Sequence, residues 1–241
     1  MADRRTRHRA KQAERLRRIR IGILAAIGVF VVALGGAGLF YGIGADVGGE
    51  PAEGEHYREI TPPEGASRAL EVVEYFSYAC VHCRSFDPLI EDWSSSLPEG
   101  VRFRRAHVAF SPGVALLARA HVALDQEGAL EDNHERIFRA LHDRNRQFPT
   151  AEALADYVDG FGIDRERFLT AVRSPRVART VAENDQAFRD ASLVSVPSLT
   201  VAGKYVINMD IGRKQALEVA DRLVRKELES RSARDTAADA G

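Results

Sequence analysis

Residues 71–87 read Glu-Val-Val-Glu-Tyr-Phe-Ser-Tyr-Ala-Cys-Val-His-Cys-Arg-Ser-Phe-Asp, and this stretch constrains the fold more than any other. Residues 70–76 are apolar apart from Glu71 and Glu74, and rich in Val and aromatics, which predicts a buried strand. Cys80 and Cys83 follow at once, and Phe86, Leu89, Ile90 and Trp93 then recur at helical spacing. Cys80 is therefore expected where a strand ends and a helix begins. Unpaired N–H groups and the positive end of the helix dipole favour a thiolate there. Cys83 falls one turn later on the same face, within reach of the Cys80 sulfur. A strand, then C-x-x-C, then a helix is the geometry of a thiol–disulfide exchange site.

The chain has 241 residues and two cysteines, both in this motif, so no cysteine remains for a structural disulfide. Structural zinc usually needs four ligands, and no second Cys or His pair has suitable spacing. His121, His134 and His142 lie scattered on predicted helices and read as packed or surface histidines. No metal and no cofactor is expected beyond a redox-active Cys80–Cys83 disulfide.

Charge is nearly balanced overall, but residues 1–20 carry nine Lys or Arg against two acids. Directly after them, residues 21–45 hold 25 positions without a charge. At about 1.5 Å per residue, that stretch is long enough to cross a hydrocarbon core of about 30 Å with some tilt. A basic flank next to an apolar span reads as membrane insertion rather than nucleic-acid binding. The span is longer than a signal peptide's apolar region, and Ile43-Gly44-Ala45 is a poor cleavage site. An uncleaved anchor is thus expected, with the basic flank in the cytoplasm and the rest exported to the periplasmic side.

Residues 46–55 read as a linker, rich in Gly and acids. A short edge strand is expected at 56–61. Leu97-Pro98-Glu99-Gly100 stops the cysteine helix. Residues 101–108 alternate Val, Phe and Ala against Arg, a second strand with one wet face. From 113 to 191 the period becomes helical and predicts five helices, one of them starting at a Thr150 cap. Strand character returns at 194–208, with Ala202-Gly203-Lys204 as a hairpin turn. A final amphipathic helix spans 212–229, and residues 230–241, polar and low in complexity, are expected to be disordered.

In exchange chemistry an attacking thiolate and a good leaving thiolate are both needed. Cys80, at the helix start, is the candidate nucleophile, and Cys83 the buried resolving thiol. His82 can give the Cys80 thiolate a hydrogen bond, or a charge when protonated. Glu74 lies six positions before Cys80, and strand alternation groups it with Val72, Phe76 and Tyr78, an apolar set. Buried there, its pKa would rise, and it could relay a proton to or from Cys83 through water. The competing reading has Glu74 on a wet face or paired with an arginine such as Arg104.

Three pieces of this chain resemble the thioredoxin superfamily, and within it the DsbA-type exported thiol oxidases: Val-Glu-Tyr-Phe-Ser-Tyr-Ala-Cys-Val-His-Cys, Leu-Pro-Glu-Gly, and Val-Pro-Ser-Leu-Thr-Val-Ala-Gly-Lys-Tyr. The likeness covers about 56–229. It implies an α/β thioredoxin fold with a helical domain inserted at about 113–191, here preceded by a single N-terminal transmembrane helix. It also implies a cis-proline loop, matched by Val196-Pro197, that faces the cysteines and binds the client's extended backbone. Glu74 falls where the family has its buried acid. Val81 departs from the commoner Cys-Pro-His-Cys, while His82 is kept.

The leading expectation is a membrane-anchored oxidase of exported proteins that bear reduced cysteines, reoxidised by a DsbB-type membrane quinone reductase. Alternatives on the same scaffold are a disulfide reductase or isomerase, for example in cytochrome maturation, and a client-binding module without turnover. A copper chaperone is a further option, but such proteins usually space their cysteines more widely.

Overall fold

The computed structural model describes residues 50–62, 70–109 and 111–239. The basic segment, the expected anchor at 21–45 and the start of the linker lie outside the described residues. Among the described residues no helix is long and apolar enough to cross a membrane.

Strand β2 (Leu70–Phe76) is the hub of the sheet. All its residues except Glu71 are buried, so both faces are covered. It pairs in parallel with β3 (Val101–His107) and antiparallel with β4 (Ser198–Val201). Strand β5 (Tyr205–Ile207) joins β4, and the short β1 (Tyr57–Glu59) closes the edge against β5. The order is β1-β5-β4-β2-β3, a mixed sheet. The β4–β5 turn runs through Ala202, Gly203 and Lys204, the first two at positive φ (57° and 62°). Lys204 N–H closes it on Val201 at 3.0 Å.

Helix α1 (Val81–Ser95) and the C-terminal helix α7 (Arg213–Asp239) cover one face of the sheet. There Phe86 and Ile90 meet Leu70, Val72, Leu199, Leu217, Leu223 and Val224 in one buried cluster. On the other face Val73, Tyr75, Ala106 and Val206 pack with Phe188 and Leu193.

Five helices lie between β3 and β4: α2 (Pro112–Gln126), α3 (Leu130–His142), α4 (Ala151–Val158), α5 (Arg165–Arg173) and α6 (Pro175–Asp190). The starts of the last three are written in the sequence. Thr150, Asp164 and Ser174 each accept a hydrogen bond from the backbone N–H three residues on. Proline occupies the first helical position of α2 and α6, where no N–H is missed. The apolar faces of α2, α3, α4 and α5 form a separate core that also takes in Phe76, Tyr78 and Cys83.

One expectation is corrected. Helix α7 does not stop at 229 but continues to Asp239, through residues expected to be disordered. The tail is polar, but Ala and Arg recur in it, and both are good helix formers. Packing carries the helix as far as Glu227 and Leu228, and local propensity extends it.

Candidate active site

The β2–β3 ladder ends at the pair Phe76 and His107. The chain then turns once, with Cys80 N–H bonded to the Ser77 carbonyl at 3.0 Å and Ala79 N–H to Ser77 Oγ at 3.3 Å. Cys80 is the N-cap of α1, in extended conformation (φ −94°, ψ 118°). No side chain caps the helix, so its first N–H groups are left without a side-chain acceptor, and the positive end of its dipole lies at Cys80. Both cysteines are free thiols. Cys80 is half-buried, while Cys83 is fully buried.

Their surroundings differ accordingly. Burial pushes the Cys83 thiol far above its ordinary range, and the negative charge that Cys80 and Glu74 can carry adds to this. The Cys80 thiol points at the loop before β4 and donates to the Val196 carbonyl at 3.5 Å. The Val196–Pro197 peptide is cis. Val196, the first of the two expected loop residues, therefore stands against the expected nucleophile, 116 positions along the chain from it. Val81 is 59 % exposed beside the pair. His82 is exposed too, and its ring makes no hydrogen bond to Cys80 in the dithiol form.

Glu74 is buried, 2 % exposed, on the central strand. Its partner is Arg105, which sits opposite it in the β2–β3 register and donates from Nε to Oε2 at 3.2 Å. The arginine suggested from sequence, Arg104, instead turns to Glu71 and Asn184. Burial raises the Glu74 pKa from 4.5 to about 7, against the pull of Arg105 and with the push of Asp87 and Glu91. A carboxyl in that range near a buried thiol can hold or release a proton at neutral pH. The guanidinium of Arg105 also reaches Glu91 at 2.6 Å and Asp87 at 3.5 Å.

Sequence reading missed how the histidines converge. His107 on β3, His121 on α2, and His134 and His142 on α3 all bond to Tyr78, two residues before Cys80. His134 in turn bonds to Asp87 at 2.9 Å. The packed reading of His121 and His134 holds, since both are buried. Among the described residues no three metal-binding side chains are placed to hold an ion.

A cysteine pair at the head of a helix, following the central strand and facing a cis-proline loop, defines a thiol:disulfide oxidoreductase of the thioredoxin-like class. The sequence matches the DSBA-like thioredoxin domain over residues 71–223. The thiol:disulfide interchange protein DsbA of Pseudomonas aeruginosa is 32% identical over 180 residues, which span 72% of this chain and 84% of that one. DsbA of Azotobacter vinelandii is 32% identical over 178 residues, 72% of this chain and 83% of the relative. Among solved structures, P. aeruginosa DsbA superimposes with a TM-score of 0.71 at 30% identity, covering 76% of this chain and 97% of its own. The Xylella fastidiosa oxidoreductase DsbA gives 0.70 at 28%, covering 75% and 100%. The chain belongs to the DsbA family of thiol:disulfide oxidoreductases, whose redox-active group is a cysteine disulfide rather than a cofactor.

Proposed function

We propose that this chain is a membrane-anchored dithiol oxidase that passes the Cys80–Cys83 disulfide to exported proteins. The observation that carries this reading is the contrast between the two sulfurs. Cys80 stands at an uncapped helix start, half-buried and open to an incoming thiolate; Cys83 is buried, and burial holds it as a neutral thiol. Favouring the dithiol form makes the disulfide the stronger oxidant.

A client thiolate attacks the Cys80 sulfur of the disulfide. The Cys80–Cys83 bond breaks, and a client–Cys80 disulfide forms. Cys83 leaves as a thiolate and takes a proton, for which Glu74 is the donor at hand. A second client thiolate then attacks the client sulfur of the mixed disulfide, and Cys80 leaves as a thiolate. The client's two thiols have given two electrons to the enzyme and two protons to solvent; the enzyme holds the electrons as the Cys83 thiol and the Cys80 thiolate, and Glu74 regains its proton from solvent. The positive helix end and an imidazolium form of His82 both favour the departing Cys80 thiolate. The cis-Pro197 loop offers the Val196 carbonyl to a client's extended backbone, the strand-addition mode of peptide capture.

Residues 21–45 would anchor the enzyme with its catalytic part outside the cytoplasm, where disulfides persist. Reoxidation falls to a DsbB-type membrane quinone reductase, and a shared membrane raises the effective concentration of that partner.

Equilibration with glutathione tests the oxidase direction. A potential near about −120 mV, typical of DsbA-type oxidants, is expected, and one near about −270 mV, typical of thioredoxin, would make the chain a reductase. Cys83→Ala is expected to trap clients on Cys80 as mixed disulfides on non-reducing gels. Deleting residues 21–45 is expected to release the protein from the membrane fraction; retention there would remove the anchor from the reading.

A further inference from the structure

Tyr78 is fully buried two residues beyond the end of the sheet ladder. Its backbone N–H and C=O have no strand partner, and burial demands one for each. Both partners are histidines. Tyr78 N–H donates to His107 Nε2 at 3.0 Å, and the Tyr78 carbonyl lies 2.7 Å from His142 Nε2. A carbonyl only accepts, so His142 carries its proton on Nε2. A backbone N–H only donates, so His107 Nε2 is bare. Burial brings the His107 pKa down to about 3, which keeps that nitrogen an acceptor.

Tyr78 and Ala79 are the two central residues of the Ser77–Cys80 turn. The peptide between them is held at both ends: its carbonyl by His142, its N–H by Ser77 Oγ. The next residue is Cys80. Helix α3 presents His134, Phe138 and His142, spaced four residues apart on one face, to the same tyrosine. His134 Nδ1 meets the hydroxyl at 2.8 Å, and the Phe138 ring stands edge-on at 4.9 Å.

We propose that His142 is a positioning residue for the exchange reaction: by holding the Tyr78 carbonyl it fixes the turn that presents the Cys80 sulfur. The inserted helices thus reach the reacting atom through one imidazole and one peptide plane. Resting on the exchange chemistry proposed for Cys80, the inference is independent of its direction.

His142 is half-buried in the last turn of α3, so replacements there leave the core intact. His142→Leu removes the donor. In His142→Gln an amide N–H stands near the position of Nε2. The full chain is measured in both variants for its rate of reduction by glutathione and for hydrogen exchange at the Cys80 amide, whose bond to Ser77 closes the turn. His142→Leu is expected to slow the reaction about tenfold and to lower Cys80 amide protection by a similar factor. His142→Gln is expected to restore both. A leucine variant that reacts at the wild-type rate, or a glutamine variant as slow as leucine, would overturn the proposal. A reducing potential would end the oxidase reading yet leave this dependence standing. An oxidising chain indifferent to residue 142 would end only the inference.

Discussion

Replacing Glu74 by Gln isolates the cost of the buried carboxyl. Unfolded, the group titrates at its ordinary 4.5; folded, burial among β2, β3 and α1 takes it to about 7. The folded protein therefore binds this proton more tightly than the unfolded chain does, and stability falls as pH rises. Below 4.5 the carboxyl is neutral in both states and costs nothing. Between 4.5 and 7 the cost grows, and above 7 it is complete. The interval from 4.5 to about 7, at about 1.4 kcal/mol per pH unit, comes to about 3 kcal/mol. Gln carries no such cost. Loss of the Arg105 contact adds an offset that is nearly constant with pH, because Arg105 keeps Glu91 and Asp87. Urea unfolding of the reduced protein, followed by the fluorescence of its one tryptophan, Trp93, gives the stability of both forms. The variant is expected to gain on the wild type by about 3 kcal/mol between about pH 4 and about pH 8. Parallel pH profiles would refute the reasoning, since they would mean that Glu74 keeps an ordinary carboxylate pKa in the folded protein.

Two further outcomes are expected. Iodoacetamide near neutral pH should alkylate Cys80 and spare Cys83, whose sulfur is both buried and held protonated; mass spectrometry that finds the two equally modified would contradict the asymmetry. Thr150→Ala should cost about 1 kcal/mol in thermal or urea unfolding without touching exchange, because it removes only the cap of α4. A loss of exchange rate in that variant would show that the cap does more than start a helix.

Much of this site is legible in sequence, because local chemistry writes it. The apolar run ending at Phe76 and the helical spacing that begins after Cys83 place the cysteines before any coordinates are known. Thr150, Asp164 and Ser174 announce their helices by the bonds they accept. Glu74 was ambiguous for a physical reason. A strand buried on both faces shows no wet side against which to judge a charge. Its partner depended on register, which sequence does not print: one step along β3 separates Arg104 from Arg105. The histidines around Tyr78 escaped because they come from three elements, and no spacing links 107 with 121 and 134. Only the interval from 134 through 138 to 142 carried a signal, and it reads equally well as an ordinary apolar face. Helix α7 runs past its expected end because the helix propensity of Ala and Arg carries a polar segment that has no apolar face to mark it.

The contact between Cys80 and Val196 joins points 116 residues apart, with six helices and strand β3 in between. During synthesis the thiol emerges long before the loop that will face it, and closing so long a span forfeits chain entropy until β4 docks on β2. For that interval the Cys80 sulfur stands without the loop that faces it in the folded protein. The last piece of the site to be assembled is thus the loop proposed above to receive clients, and on that proposal a chain truncated before β4 would present Cys80 without the element that meets its partners.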